Sequence, residues 1–520
     1  MPNPTDGWLF SDQELLSWLE CGESPDFLDL TMSSDAPPDY PLPYTEPQAS
    51  STSSLFNLEL LQLPPNKRDD LGSLFRNDAS RSASIVPTRL LSDATTTFVS
   101  YYFRYIGPMF CCCREIENPF INDVAQRWNS WSAKSLPYVL QSMSLTCLAD
   151  TTPHLLPVAS EFRQKAKRIL EEELSSERDK GSSELSIILL GASAGWMRPQ
   201  DSMLDLFQRF VSIAQHQAAY THTELFQRGV MTYWHMFLTF MSSAQPRLLN
   251  LASSTSHDIL MNHLNSPPLL RSHPHPWTGI SVDLIILLTQ VGQLVRHHEA
   301  TASPPPLGCC SANAHESAAR SLESKLLQHC KREQQCHDRR SSSVSIDLVR
   351  LSELYQIAAL LQLYRVFPGL AKGKRDRTYE TVLDLKLFSE AGTEQNLLSM
   401  ARHILDVALE AGPDSSVSRF QLVPVIIACT ELRLPGSSND EISVPGPFSL
   451  LMSPTGIIAV AQARQLGKNH LMAMRRVFPG DRVSQVIKII AAMWEQLDRD
   501  GSNENMHWIK WLLNNGHDVT

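Results

Sequence analysis

Apolar residues recur at helical spacing in several long segments of this chain. Asp481 is a candidate N-cap for one such segment, and Gly501 is its stop signal. The apolar residues between them lie on one face of a helix of 3.6 residues per turn, and they are Val483, Val486, Ile487, Ile490, Trp494 and Leu497. Because such a face must be covered by another element, the pattern favours a fold in which several helices pack together.

Two further segments have the same form. One ends at Pro368-Gly369 and contains Leu351, Leu354, Tyr355, Ala358, Leu361 and Tyr364. The other ends at Gly412-Pro413 and contains Leu398, Ala401, Ile404, Leu405 and Ala408. Glycine is scarce, at 22 of 520 residues, against a usual share of ~7%, which argues against a sheet joined by glycine turns. We therefore predict an all-α fold, a large array of antiparallel helices.

The composition divides the chain into two parts. Residues 1–90 are rich in Ser, Pro, Asp and Thr, and they predict a mostly disordered acidic arm with one short helix. Residues 91–520 predict a helical body. Stretches rich in Pro, Gly and Ser predict flexible insertions near 298–320 and 434–448.

The charge is concentrated in the arm. Residues 1–66 hold eleven acidic residues and no Lys, Arg or His, so 55 − 11 = 44 acids face 45 bases in the remainder. Neither part shows the basic excess of a DNA-binding module. The ten cysteines form no C-x-x-C pair, no signal peptide begins the chain, and no apolar run approaches ~18 residues. These features favour a soluble protein of the cytosol or nucleus.

A short amphipathic helix is predicted near the start of the arm. Ser11 and Glu14 fit a capping box, which Phe10 and Leu15 flank as a hydrophobic staple. A helix of this length is unstable alone in water, so we expect it to fold on docking into a partner's groove. Acids interleaved with large apolar residues are typical of an activation segment, and docking on its own body or an idle tail are the alternatives. The predicted partner-binding residues are Trp8, Phe10, Leu15, Trp18, Leu19, Phe27 and Leu28.

One motif raises an enzymatic alternative. Ser193 is the centre of a G-x-S-x-G sequence that follows an apolar run, Leu185–Leu190, which could be a strand. A strained strand-to-helix turn would expose the Ser193 hydroxyl as the nucleophile of a serine hydrolase. No glycine-rich oxyanion segment lies upstream, so the small residues are better explained by close helix packing.

The histidines and cysteines do not have metal-site spacing. His273, His275, His297 and His298 lie in proline-rich surroundings, and Cys330, Cys336 and His337 are too widely spaced for a zinc site. Cys111–Cys113 predict small buried apolar surface beside Phe110. We predict no catalytic residue, no metal and no cofactor. Residues 372–377 form a basic patch that is either a nuclear-import signal or a solvated loop.

Several segments together resemble a known family. They are Phe98–Phe103, Asn118–Phe120, Leu136–Ala149, Pro153–Leu155, the run ending at Trp196, Tyr233-Trp234, His275–Gly279 and the segments around Trp494 and Trp508. Between about Phe98 and Trp511 the chain is similar to the helical regulatory domain of fungal binuclear zinc cluster transcription factors, in its second fungal-specific type.

The resemblance implies a nuclear transcriptional regulator, not an enzyme, that controls a metabolic gene cluster. It implies co-activators or a DNA-binding protein as partners, and it is compatible with a small-molecule effector and a homodimer. Such factors read DNA with a six-cysteine zinc cluster, yet only Cys21 precedes Cys111 here. DNA binding by this chain is therefore doubtful: either an upstream exon supplies the cluster, or the protein is a co-regulator. A non-catalytic helical scaffold is a further alternative.

Overall fold

The computed structural model describes thirteen ranges of the chain, which are 94–112, 118–129, 134–175, 180–197, 203–214, 222–243, 274–301, 311–337, 344–372, 393–412, 415–434, 454–500 and 507–515. The α-helices in these ranges are α1 (Ala94–Tyr101), α2 (Pro119–Arg127), α3 (Leu136–Ala149), α4 (Leu155–Ser175), α5 (Lys180–Ala192), α6 (Met203–Ala214), α7 (His222–Met241), α8 (Val282–Thr301), α9 (Ser311–His337), α10 (Val344–Val366), α11 (Pro368–Lys372), α12 (Thr393–Glu410), α13 (Leu422–Thr430), α14 (Pro454–Arg475), α15 (Arg482–Asp500) and α16 (Trp508–Asn515). The only β pairing within them is one isolated bridge, Pro274 with Ser281. The predicted all-α fold is confirmed.

The three apolar stripes form helices with the predicted ends. Helix α15 begins directly after Asp481 and ends before Gly501. Helix α10 ends at Val366, because Pro368 cannot continue it. Helix α12 ends two residues before Gly412, whose φ of 72° lies in the left-handed region that favours glycine.

The helices pack as neighbours along the chain and across it. Helix α3 packs against α4, α7 against α8, and α8 against α9 and α10. Helix α10 in turn packs against α12, and α12 against α13. One continuous apolar core runs from Val99 to Leu512 through these contacts.

A buried ion pair connects three of these elements. Arg365, near the end of α10, contacts Glu394 of α12 at 2.7 Å and also Glu431, which follows α13. The side chains of Arg365 and Glu431 are both buried. Removing either partner would leave the other charge without its counter-ion in the core, which is strongly destabilising.

We predicted a flexible insertion near 298–320, but residues 298–301 and 311–320 are helical. Helix α8 continues to Thr301 and helix α9 begins at Ser311, so only residues 302–310 lie outside the described ranges. Alanines, a glutamate and a basic residue in 312–320 favour helix and outweigh the serines. Most of the segment 434–448 lies outside the described residues, as do residues 1–93 and 373–377.

None of the helices in the described ranges is both long enough and apolar enough to cross a membrane. The longest, α9, has 27 residues but carries charged and polar side chains along most of its length. The most apolar, α13, has nine residues, about half of what a membrane span requires.

Candidate functional site

Ser193 follows helix α5 and does not lie on a strand-to-helix turn. Its hydroxyl donates a hydrogen bond of 2.7 Å to the carbonyl oxygen of Leu189 and accepts one of 2.8 Å from Nη1 of Arg163. Nη2 of Arg163 donates to the carbonyl oxygen of Leu190 at 2.6 Å. The segment Leu185–Leu190, which the hydrolase alternative required as a strand, is helical. Ser193 is therefore a buried part of a helix-end contact, since only 1% of its surface is exposed.

The two glycines of the same motif permit close packing. A Cβ atom at Gly191 would lie 2.0 Å from the Trp234 ring, and one at Gly195 would lie 2.1 Å from Nε of Arg482. Real Cβ atoms do not approach other heavy atoms so closely. The motif thus brings an indole ring of α7 and a guanidinium group of α15 against the end of α5, as the packing explanation predicted.

A tight turn before helix α8 places Trp277. The backbone N–H of His275 donates to the carbonyl of Ile280 at 3.1 Å, and that of Gly279 donates to the carbonyl of His275 at 2.8 Å. Gly279 has a φ of 71°, and a Cβ there would lie 2.4 Å from Sγ of Cys112. Only glycine meets both requirements without strain. This turn is the structural reason for the H-P-W-T-G sequence.

Trp277 is the centre of an aromatic cluster. Its ring centroid lies 5.3 Å from that of Tyr233, 5.5 Å from Phe120, 6.2 Å from Phe420 and 6.3 Å from Phe110. All four pairs have the edge-to-face arrangement that the aromatic quadrupole favours. We call these five residues the aromatic cluster. Its members come from widely separated parts of the sequence.

A cavity of about 110 Å³ lies beside the aromatic cluster. Eight of the described residues that line it are aromatic, among them Trp196, Tyr233, Trp234 and Trp277. Tyr233 and Trp277 are only half-buried although both lie inside the cluster. This is expected of side chains that face a void rather than other atoms. The walls therefore offer flat apolar surfaces at several orientations.

Two basic side chains interrupt this apolar lining. Nη1 of Arg419 donates a hydrogen bond of 3.1 Å to the carbonyl of Met109. The guanidinium carbon of Arg482 lies 5.5 Å from the centroid of the Phe237 ring, within the range of a cation–π contact. Both arginines are half-buried, and no acidic residue occurs among the described residues that line the cavity.

Tyr233 stays protonated at physiological pH. Burial raises the pKa of its hydroxyl to about 12, against the smaller lowering effects of a hydrogen bond with Tyr355 and of the Arg482 charge. The Tyr355 hydroxyl donates its hydrogen to the carbonyl of Phe420 at 2.7 Å. Tyr233 is thus a neutral hydroxyl in the cavity wall, close enough to Arg482 to sense its charge.

Trp234 also lines the cavity, and its indole N–H group is buried. It is 4% exposed, and its ring packs between Phe207 and Phe210, with centroids 5.8 and 6.2 Å away. Its Nε1 atom is buried and has no hydrogen-bond partner in the described part of the chain. A buried N–H group without an acceptor is costly.

Comparison with known protein families gives one match over this helical body. The family described as "Fungal specific transcription factor domain" matches residues 97–520. The chain belongs to the fungal-specific transcription factor domain family. Comparisons with curated proteins and with solved structures gave no match.

This family is regulatory and not enzymatic, so Ser193 is not a catalytic nucleophile. In this chain, the Ser193 hydroxyl donates to the Leu189 carbonyl in the last turn of α5 and accepts from Nη1 of the buried Arg163. The serine hydrolase alternative is therefore wrong. The reason is physical: the apolar run before the motif continues as helix α5, so no strained turn presents the hydroxyl.

The histidines of this domain have structural contacts. Nε2 of His275 lies 3.1 Å from the carbonyl oxygen of Phe226, and the two rings are stacked. Nδ1 of His297 lies 3.0 Å from Nε2 of His315, a residue that the sequence did not single out. Within the described ranges no three His, Cys, Asp or Glu residues are arranged to hold a metal ion. Cys112 is buried and Cys111 is partly so, whereas Cys113 and His273 lie outside those ranges.

The sequence predictions and the cavity overlap only in part. The seven predicted partner-binding residues lie in 1–28, outside the described residues, so their role stays a prediction. Trp196, Trp234 and Trp277 carried the family resemblance but had no assigned role. Arg419 and Arg482 were missed, because nothing in the sequence around either arginine marks it as part of a cavity.

Proposed function

We propose that this protein regulates transcription in the nucleus, with residues 97–520 as its regulatory domain. The match to the fungal-specific transcription factor domain over that whole range is the observation that supports the proposal. The closed setting of Ser193 agrees with it, since a regulatory domain needs no exposed nucleophile. The genes of a metabolic cluster are the expected targets.

The acidic arm is the proposed activating part. Its large apolar residues, interleaved with acids, suit docking in an apolar groove of a co-activator. Residues 1–520 contain no six-cysteine zinc cluster. We therefore assign contact with DNA to a segment or partner protein outside these residues. The helical domain would set the level of activation in response to a small-molecule effector.

A reporter assay tests whether the chain activates transcription and whether the acidic arm is required. The full chain is fused to a foreign DNA-binding domain and tethered upstream of a reporter gene. The fusion should activate transcription, and the double substitution Trp18→Ala with Leu19→Ala should reduce activation severalfold. Gln13→Ala with Ser17→Ala changes polar positions of the same predicted helix and should have little effect. Activation that both double substitutions leave unchanged would contradict the role of the arm.

A further inference from the structure

We infer that the cavity beside the aromatic cluster binds a small aromatic carboxylate, with Arg482 and Arg419 as the groups that recognise its charge. The inference rests on the proposed function, because it gives a chemical class to the effector of the regulatory domain. Three observations support it, namely the aromatic lining, the charge of the lining and the size of the cavity.

The lining favours a flat apolar ligand. Tyr233, Trp277 and Phe420 already form edge-to-face pairs with one another, and Tyr233 and Trp277 keep part of their surface accessible. A planar ring in the cavity would extend the same arrangement and remove that surface from water. An aliphatic chain would bury similar area without the ring-on-ring geometry.

The charge of the lining favours an anion. Two arginine side chains line the cavity, and no carboxylate occurs among its described lining residues. Guanidinium groups pair with planar carboxylates through two parallel hydrogen bonds and also stack on aromatic faces. Arg482 already lies over the Phe237 ring, and Gly195 leaves the space in which its guanidinium sits.

The size of the cavity limits the ligand to one or two rings. A volume of about 110 Å³ is close to that of an engineered apolar cavity of ~150 Å³ that stays dry and accepts benzene. Benzoate matches this volume, and 2-naphthoate would need a modest outward movement of the half-buried arginines. Larger ring systems would require separation of the helices.

The test uses benzoate and 2-naphthoate as probes of the purified full-length protein. Quenching of the cavity tryptophans or calorimetry measures binding, and benzamide and 2-naphthamide are the neutral controls of equal shape. We expect each carboxylate to bind at least tenfold more tightly than its amide. Arg482→Gln and Arg419→Gln should each remove most of that preference, whereas Arg482→Lys should retain part of it.

Two control variants protect the result against misfolding and surface binding. Arg499→Gln removes an exposed arginine of the same helix α15 and should leave binding unchanged. Ala192→Leu fills part of the cavity and should weaken both carboxylates and both amides. Circular dichroism and thermal unfolding confirm that each variant is folded.

The outcomes separate this inference from the proposed function. Absence of binding, or equal binding of acid and amide, would overturn the inference even if the tethered chain activates the reporter. Binding that Ala192→Leu does not weaken would also overturn it, because the probes would then occupy another surface. Selective carboxylate binding by a chain that never activates transcription would support the cavity assignment and count against the proposed function.

Discussion

Nε1 of Trp508 donates a hydrogen bond of 2.8 Å to Oε1 of Gln362 across 146 residues of sequence. Trp508 begins helix α16 and is 3% exposed, and Gln362 in α10 is fully buried. The Trp508 ring also stacks on Phe240 of α7, with ring centroids 6.3 Å apart. The last helix is therefore part of the core and holds α7 and α10 together.

Replacing Trp508 with Phe should destabilise the domain by about 1–3 kcal/mol, because the Gln362 oxygen would remain buried without its donor. Urea unfolding followed by circular dichroism measures the loss. The double substitution Trp508→Phe with Gln362→Leu should recover part of it, since both polar partners are then removed. A single variant as stable as the parent would show that the hydrogen bond contributes nothing.

Gly191 should not tolerate a side chain. Gly191→Ala places a Cβ atom in the Trp234 ring, so the helices must separate at a cost of about 1–3 kcal/mol. Gly369→Ala is the matched control, because its Cβ would meet nothing closer than 3.4 Å and alanine favours helix by about 1 kcal/mol. We expect opposite signs in thermal unfolding. Equal effects would contradict the close approach of α5 and α7.

Ser193 should matter for stability and not for chemistry. Ser193→Ala removes one of the acceptors of the buried Arg163, so we expect a loss of about 1–3 kcal/mol in urea unfolding. Ser175→Ala, which removes an exposed hydroxyl, should change stability by less than about 0.5 kcal/mol. A fluorophosphonate probe should label neither the parent nor the variants. Labelling that Ser193→Ala abolishes would restore the hydrolase alternative.

His235 should make the domain sensitive to acid. Burial lowers the pKa of its imidazole from 6.5 to about 4. Between these values the unfolded chain binds more protons than the folded chain, so stability falls as pH falls from about 7 to 4. This gap corresponds to about 3 kcal/mol lost at pH 4.

The variant His235→Gln should lose much of this dependence when unfolding free energy is measured against pH. His403 acts in the opposite direction, since its hydrogen bond with Glu353 raises its pKa, so its contribution is present below pH 6.5 and fades above it. A curve that His235→Gln does not flatten would contradict the assignment.

The sequence predicted those parts of the fold that depend on local pattern. The segments that form α10, α12 and α15 have apolar residues at helical spacing and end at Gly or Pro residues. Their helical structure and their ends could therefore be predicted. Leu185–Leu190 was ambiguous, because a short apolar run fits a buried helix or a strand equally well. The start of the helix at Ser311 was not predicted, because we gave the nearby prolines and serines more weight than the alanines that follow them.

The cavity could not be predicted for a different reason. Its walls come from positions between Met109 and Val483, which only tertiary packing brings together. Trp277 belongs to a sequence motif that marks the turn, but the motif does not reveal what the ring contacts. Nothing in the sequence around Arg419 or Arg482 indicates a buried contact. Their contacts with Met109 and Gly195 form only when the chain folds.

Promoter occupancy tests the central claim most directly. Chromatin immunoprecipitation of the tagged full-length protein, combined with transcript measurement after its deletion, detects binding to DNA whether it is direct or through a partner. We predict enrichment at the promoters of a limited gene set whose transcripts change when the protein is removed. Uniform background at all promoters, with unchanged transcripts, would contradict a role in transcription.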